Sequence, residues 1–332
     1  MFNPNDIAIT NGHYFGFPDS VEESEIVLIP VPWDVTTSYR AGTSNAPEAI
    51  KAASLQLDFF DFDVDHAWET RIGTEVLSQK IVDANKTYRK LSEQLIADLE
   101  CGKPADEKVL ESINKACEVV NNYVYALCKS HLDNGKKVGL IGGDHSSPLG
   151  YIQALSDVYD DFGILHFDAH ADLRKAYEGF TYSHASIMYN ALQLPSVKKL
   201  VQVGVRDLCQ DEIDLVNGDE RVVQFNDFAL KEAAFSGYTW KEQCASIIQQ
   251  LPQNVYVSFD IDALSPENCP NTGTPVPGGL SYNEAIFLIK LLHQSGRTII
   301  GFDLCEVGIA ADEWDANVGA RVLYKLCLMA RV

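Results

Sequence analysis

The 332-residue sequence has few basic residues, no paired CxxC cysteines and no long apolar run. Lys and Arg number 26 against 47 Asp and Glu, a formal net charge of −21. Such a surface repels polyphosphate, so no nucleic acid and no anionic membrane is expected as a partner, whereas a small cation is steered inward. The eight cysteines, at 101, 117, 128, 209, 244, 269, 305 and 327, are scattered and read as reduced thiols. No stretch reaches the roughly 20 apolar residues of a membrane span. The opening segment MFNPNDIAITNGHYFGF lacks a basic region followed by an apolar core, which predicts a cytoplasmic protein. Nucleotide binding is weakly supported, because GGDH at 142–145 lacks the glycine spacing and lysine of a phosphate loop. Ser146, His170 and Asp168 could be assembled on paper as a serine hydrolase, but no GxSxG elbow accompanies them.

What is present is a composition of 46% hydrophobic and 22% charged residues, that of a chain able to bury a sizeable core. Short continuous apolar runs recur at 26–31, 138–141, 163–167, 200–205, 255–259 and 298–302. Continuous rather than alternating runs suit strands buried on both faces. Between them lie helical patterns such as SYNEAIFLIKLLHQSG at 281–296, opened by a Ser cap and closed by Gly. Alternating strand and helix predicts an α/β fold of three α/β/α layers with a mainly parallel sheet. Residues 79–134 carry no strand signal and read as two helices broken near Gly102-Lys103-Pro104. No linker, repeat or low-complexity tract divides the chain, so residues 1–332 are expected to form one domain with that helical elaboration.

Three segments set metal-type ligands at the carboxyl end of a predicted strand: GGDHS at 142–146, FDAHADL at 167–173 and SFDIDALSP at 258–266. Ligands bind at that edge of open α/β sheets. A locally extended chain would aim Asp168, His170 and Asp172 to one side, and Asp260 and Asp262 likewise. Together with His145 they make two imidazoles and four carboxylates. Buried without cations, those carboxylates would each cost several kcal/mol or titrate to neutrality. An oxygen-rich set with two nitrogens and no thiolate suits Mn(II), and also admits Zn, Fe, Co or Ni. Each Asp read alone is more often a cap, but capping gives no reason to repeat DxHxD and DxD after separate buried strands.

These three motifs resemble those of the ureohydrolase superfamily, which includes arginase and agmatinase, and the resemblance covers most of the chain. It implies an arginase-like fold and two manganese ions. His145, Asp168, Asp172 and Asp260 would ligate one ion; His170 and Asp262, with shared Asp168 and Asp260, would hold the other. Two ions about 3.5 to 4 Å apart present a metal-bridging hydroxide to an electrophilic carbon. The reaction so implied is hydrolysis of a guanidino compound to urea and an amine.

His184, in TYSHASIM, resembles the family's proton-shuttling histidine, and Glu306, in GFDLCEVG, the glutamate that pairs with the substrate guanidinium. Thr274, in NTGTPVPGGL, matches a substrate-contacting threonine. Trp33, Asp34 and Tyr39 resemble the loop bordering the active site, although such aromatics are more often core residues. Arg174 and Cys209 stand where arginases carry residues that hold an amino acid. DAHADLR, YSHAS, VPWDVTTSYRAG and NTGTPVPGGLSYNEA look like agmatinases, so agmatine hydrolysis to putrescine and urea is the expected reaction. Guanidinobutyrate, guanidinopropionate, guanidine, arginine and formimidoylglutamate are the alternatives within the superfamily. A noncatalytic, metal-stabilised regulatory homologue is the alternative of a different class. The resemblance also implies a homotrimer or homohexamer.

Overall fold

The structure is a computed structural model that describes residues 3–331. Eight strands form one sheet: β1 (Ile26–Pro30), β2 (Ile72–Thr74), β3 (Lys137–Ile141), β4 (Phe162–Phe167), β5 (Val197–Val203), β6 (Val222–Phe225), β7 (Asn254–Asp260) and β8 (Thr298–Cys305). Their spatial order is β2-β1-β3-β8-β7-β4-β5-β6, and every pairing is parallel. Six strands fall on the six apolar runs. The short edge strands β2 and β6 are additions to the expectation, because IGT and VVQF are too brief to read as strands.

Period-two geometry explains the layers. In β1, Ile26 and Leu28 join one apolar cluster while Val27 and Ile29 join another on the opposite face. In β4, Leu165 and Phe167 likewise oppose Phe162 and Ile164. The first face is covered by α1 (Ala46–Ser54), α7 (Asp227–Phe235), α8 (Trp240–Gln249), α9 (Tyr282–Gln294) and α10 (Trp314–Ala330). The second is covered by α2 (Gln79–Glu100), α3 (Glu107–Asp133), α4 (Leu149–Ser156), α5 (Ile187–Ala191) and α6 (Gln210–Gly218). The three-layer α/β/α expectation is therefore met. Helix α9 starts where its sequence marks it, with Ser281 and Glu284 capping each other reciprocally. Helices α2 and α3 break at 101–106, where Gly102 takes φ +74° and Asp106 caps α3 by accepting from the Lys108 and Val109 N–H groups. Among the described residues no helix is long and apolar enough to cross a membrane.

The topology gathers the motifs. The adjacent strands β3, β8, β7 and β4 occupy the centre of the sheet, and being parallel they all deliver their carboxyl ends to one edge. GGDH follows β3, Glu306 follows β8, Asp260 ends β7, and Asp168 follows β4.

Candidate metal centre and active-site cavity

Each carboxylate is first anchored by the backbone. Asp168 Oδ1 accepts the His170 N–H at 2.6 Å, Asp260 Oδ1 accepts the Asp262 N–H at 2.8 Å, and Asp262 Oδ1 accepts the Ala169 N–H at 3.0 Å. The other oxygens point inward. His145 Nδ1 lies 3.1 Å from Asp168 Oδ2, 3.2 Å from Asp172 Oδ2 and 3.3 Å from Asp260 Oδ2. His170 Nδ1 lies 3.0 Å from Asp262 Oδ2 and 3.3 Å from Asp168 Oδ1. Donors about 2.1 Å from a shared cation and about 90° apart stand about 3.0 Å from each other, so both spacings suit a metal ion. The two oxygens of Asp168 face the two half-sites. Asp260 is brought to the first half only.

The local backbone departs from the extended path expected of DxHxD. The chain leaves β4 after Phe167, His170 forms an isolated bridge with Asp207, and Asp172 takes φ +53°. The Asp172 carbonyl accepts from Met188 and Tyr189 at the start of α5, which holds this left-handed turn. DxD is not extended either: Asp260 caps a 3-10 turn over Ile261–Ala263. The two-residue spacing brings the carboxylates together by turns and caps rather than by pleating. Glu306 is a third exception, at φ +60° directly after β8. Left-handed backbone at non-glycine residues costs of order 1–3 kcal/mol and gathers at functional sites.

The carboxylates are buried, Asp168 at 0% exposure and Asp260 at 3%, and no lysine or arginine side chain pairs with the four among the described residues. Burial and the neighbouring Asp168 push Asp172 up to about 7. Burial, Asp262 and Asp168 hold Asp260 well above the carboxylate range. Asp168 goes the other way: burial would raise it, but His166, His145 and His170 hold it well below. Burial likewise opposes protonation of His145, yet Asp168, Asp172 and Asp260 hold it well above an ordinary imidazole. A dense, buried, anionic cage of this kind suits divalent cations, each of which offsets the charge of several carboxylates at once.

A second layer fixes the donors, and most of it is invisible in the motifs. His145 Nε2 bonds Ser258 Oγ at 2.9 Å, leaving Nδ1 to face the carboxylates. His166 Nε2 meets Asp168 Oδ2 at 2.8 Å, and its Nδ1 faces the Gln202 amide at 2.9 Å. That amide also donates to the Ala171 carbonyl, so it is the NH2 end and His166 carries its proton on Nε2. Of these, only His166 had a sequence signal, lying two residues before Asp168 on the same strand face.

Above the cage opens a cavity of about 410 Å³ lined by His170, Asp172, His184 and Thr274 together with Tyr39, Arg40, Arg174, Tyr177, Asp207 and Glu212. Tyr39 is thus a wall residue, whereas Trp33 is core at 1% exposure. Asp34 is a buried brace whose Oδ2 accepts the Gly42 and Ser44 N–H groups. His184 opens a short 3-10 turn, with Nδ1 3.3 Å from Ser183 Oγ and 3.5 Å from Thr36 Oγ1. Nε2 is its remaining ring nitrogen. Enclosure, His170 and His145 together push His184 down to about 3, so the ring is neutral. Glu306 Oε1 accepts the His145 N–H at 2.9 Å, while Oε2 is buried without a hydrogen-bond partner. Burial and Asp144 hold this carboxyl well above its usual range. A Cβ on Gly273 would stand 3.2 Å from Oε2, so the loop bearing Thr274 passes beside Glu306.

The family model described as Arginase family matches residues 24–329. The chain belongs to the arginase family. Among relatives in this family, an N(1)-aminopropylagmatine ureohydrolase of Thermus thermophilus is 32% identical over 297 residues, 88% of this chain and 86% of that one. An agmatinase of Bacillus anthracis is 28% identical, with 89% and 88% covered. The proclavaminate amidino hydrolase of Streptomyces clavuligerus shares the arginase-family fold with a TM-score of 0.74 at 22% identity, covering 96% of each chain. The agmatine ureohydrolase of Thermoplasma volcanium gives 0.71 at 22%, covering 94% of this chain and 92% of its own. The resemblance drawn from the three motifs is thereby borne out at the level of family and fold.

Proposed function

We propose that this arginase-family hydrolase cleaves a guanidino compound to urea and an amine at a two-metal centre, with agmatine, giving putrescine, as the simplest substrate. The observation that carries the reading is the convergence of six donor residues at 3.0–3.3 Å spacings beneath a cavity. In this reading His145 Nδ1, Asp168 Oδ2, Asp172 and Asp260 would hold one ion, and His170 Nδ1, Asp168 Oδ1 and Asp262 would hold the other. Mn(II) fits the oxygen-rich set. Bound divalent cations would acidify a water toward neutral pH and neutralise the carboxylates.

The chain's own groups supply the rest. Glu306 Oε2, buried and unpaired, meets the guanidinium in a charge-assisted bond and sets its carbon over the cage. A C–O bond forms from water to that carbon, and the C–N bond to the alkyl nitrogen breaks. The departing nitrogen takes a proton from His184 Nε2, which first accepts one from the attacking water, a step eased once metal ligation leaves His170 and His145 uncharged. Thr274 contacts the substrate from the cavity wall.

The tail argues for an amine without an α-carboxylate. Cys209 offers a thiol in place of a carboxylate to pair with an α-amino group, and both Glu212 oxygens are engaged, by the Leu173 and Cys209 N–H groups. Arg174 lies over the Tyr177 ring, 4.7 Å from its centroid. A second reading, an aminopropyl-extended agmatine, is favoured by the name of the Thermus relative and by a cavity of about 410 Å³. Urea release with added Mn(II) from agmatine, its aminopropyl derivative, arginine and guanidinobutyrate is the deciding assay. No turnover of any of them would sink the hydrolase reading.

A further inference from the structure

The helices α2 and α3 carry none of the metal motifs, yet they grip both loops that form the cavity rim. On α2, Asn85, Arg89 and Ser92 recur at helical spacing and face the segment 34–37. Asn85 Oδ1 accepts the Asp34 N–H at 2.8 Å, and its Nδ2 donates to Asp34 Oδ1 at 2.8 Å. Arg89 Nη1 donates to the carbonyls of Asp34 at 3.3 Å, Val35 at 3.2 Å and Thr37. Ser92, fully buried, donates to the Val35 carbonyl. On α3, Asn114 brackets the other loop: Nδ2 donates to the Gly179 carbonyl at 3.1 Å and Oδ1 accepts the Thr181 N–H at 2.9 Å. Leu110 fills the space beside Gly179, which sits at φ +85°.

The two gripped loops meet at one contact. Thr36 Oγ1 accepts the His184 N–H at 3.1 Å and donates to Asp144 Oδ2 at 3.1 Å, one residue before His145. Downstream of the first grip, Ser38, Tyr39 and Arg40 form cavity wall; on either side of the second lie Tyr177 and His184. We propose that the α2–α3 hairpin is a positioning device for the cavity rim, with Arg89 and Asn114 as its positioning residues. It holds the 34–40 and 177–184 loops in register so that Thr36 orients the His184 ring. Backbone carbonyls of an irregular loop have no sheet to satisfy them, so a guanidinium serving three of them is an efficient clamp. That His184 then affects turnover rests on the proposed hydrolase reading; that the hairpin orders both loops does not.

The test is hydrogen exchange and kinetics on the metal-loaded full chain, comparing wild type with Arg89→Met, Arg89→Lys and Asn114→Leu. Loss of hydrogen bonds at either grip is expected to speed exchange about tenfold in both loops, 33–38 and 179–186, because they share the Thr36–His184 contact. Strands β3, β4, β7 and β8 should keep wild-type protection, and bound metal should stay at the wild-type ratio. Arg89→Lys should restore part of the order. The kcat for the best guanidino substrate should fall about tenfold in Arg89→Met and Asn114→Leu, with partial recovery in the lysine variant. Wild-type exchange in the distant loop of each variant would overturn the proposal, as would acceleration spread evenly through the sheet. A wild-type protein without urea release would defeat the hydrolase reading, while the exchange pattern would still decide the role of the hairpin.

Discussion

Metal uptake by this protein should depend steeply on pH, and the direction follows from the cage. Without cations, Asp172 is pushed up to about 7 by burial and by Asp168. Below that value it carries a proton, which an incoming cation must displace. At pH 6 the protonated form outweighs the ionised one about tenfold and at pH 8 the ratio is reversed, so this one group weakens affinity about tenfold, or about 1.4 kcal/mol, across the interval. His145 and His170 are also held well above an ordinary imidazole by their carboxylates, and a ligand nitrogen must likewise be deprotonated. Their protons steepen the dependence in the same direction. Mn(II) titration by calorimetry at pH 6, 7 and 8, in two buffers of different ionisation enthalpy, measures affinity and protons released together. The expected result is release of at least one proton near pH 6 and affinity rising at least about tenfold by pH 8. Equal affinity at pH 6 and 8, with no proton release, would refute the account of the cage as a site protonated when empty.

Other consequences are as specific. Asp168→Ala removes the carboxylate that faces both half-sites, so bound metal and urea release should both be lost, as read by elemental analysis and a urea assay. Glu306→Gln removes the carboxyl proposed to pair with the guanidinium; kcat/KM should fall roughly 30-fold to 1,000-fold, for about 2–4 kcal/mol, with metal content unchanged. Chelation should lower the melting temperature, because a ligand at about 1,000 times its Kd adds about 4 kcal/mol to the folded state; an unchanged calorimetric scan would contradict this. Phe228, Phe235 and Tyr238 stand exposed in and just after α7, and a trimer or hexamer in light scattering is the expected means of covering such apolar surface. A strict monomer would defeat that expectation.

The local code of this chain was sufficient for the layers and for the identities of the metal-type residues. Buried parallel strands need continuous apolar runs, and Ser281 with Glu284 marks a helix start whatever surrounds it. The motifs at 142–146, 167–173 and 258–266 contain all six residues that the fold gathers into one cluster, because unpaired carboxylates after buried strands are too costly to recur without a purpose. Tertiary structure decided what local patterns cannot carry. The strand order sets β3, β8, β7 and β4 side by side, although β3 and β8 lie about 160 residues apart in sequence. It also placed His166, Ser258 and Gln202 behind the donors and bent Asp172 and Glu306 into left-handed backbone. The segment at 79–134 was legible only as two helices. Its grip on the loops that carry Thr36 and His184 depends on a guanidinium and two amides reaching backbone groups 51 to 67 positions away, a contact for which sequence periodicity has no signal.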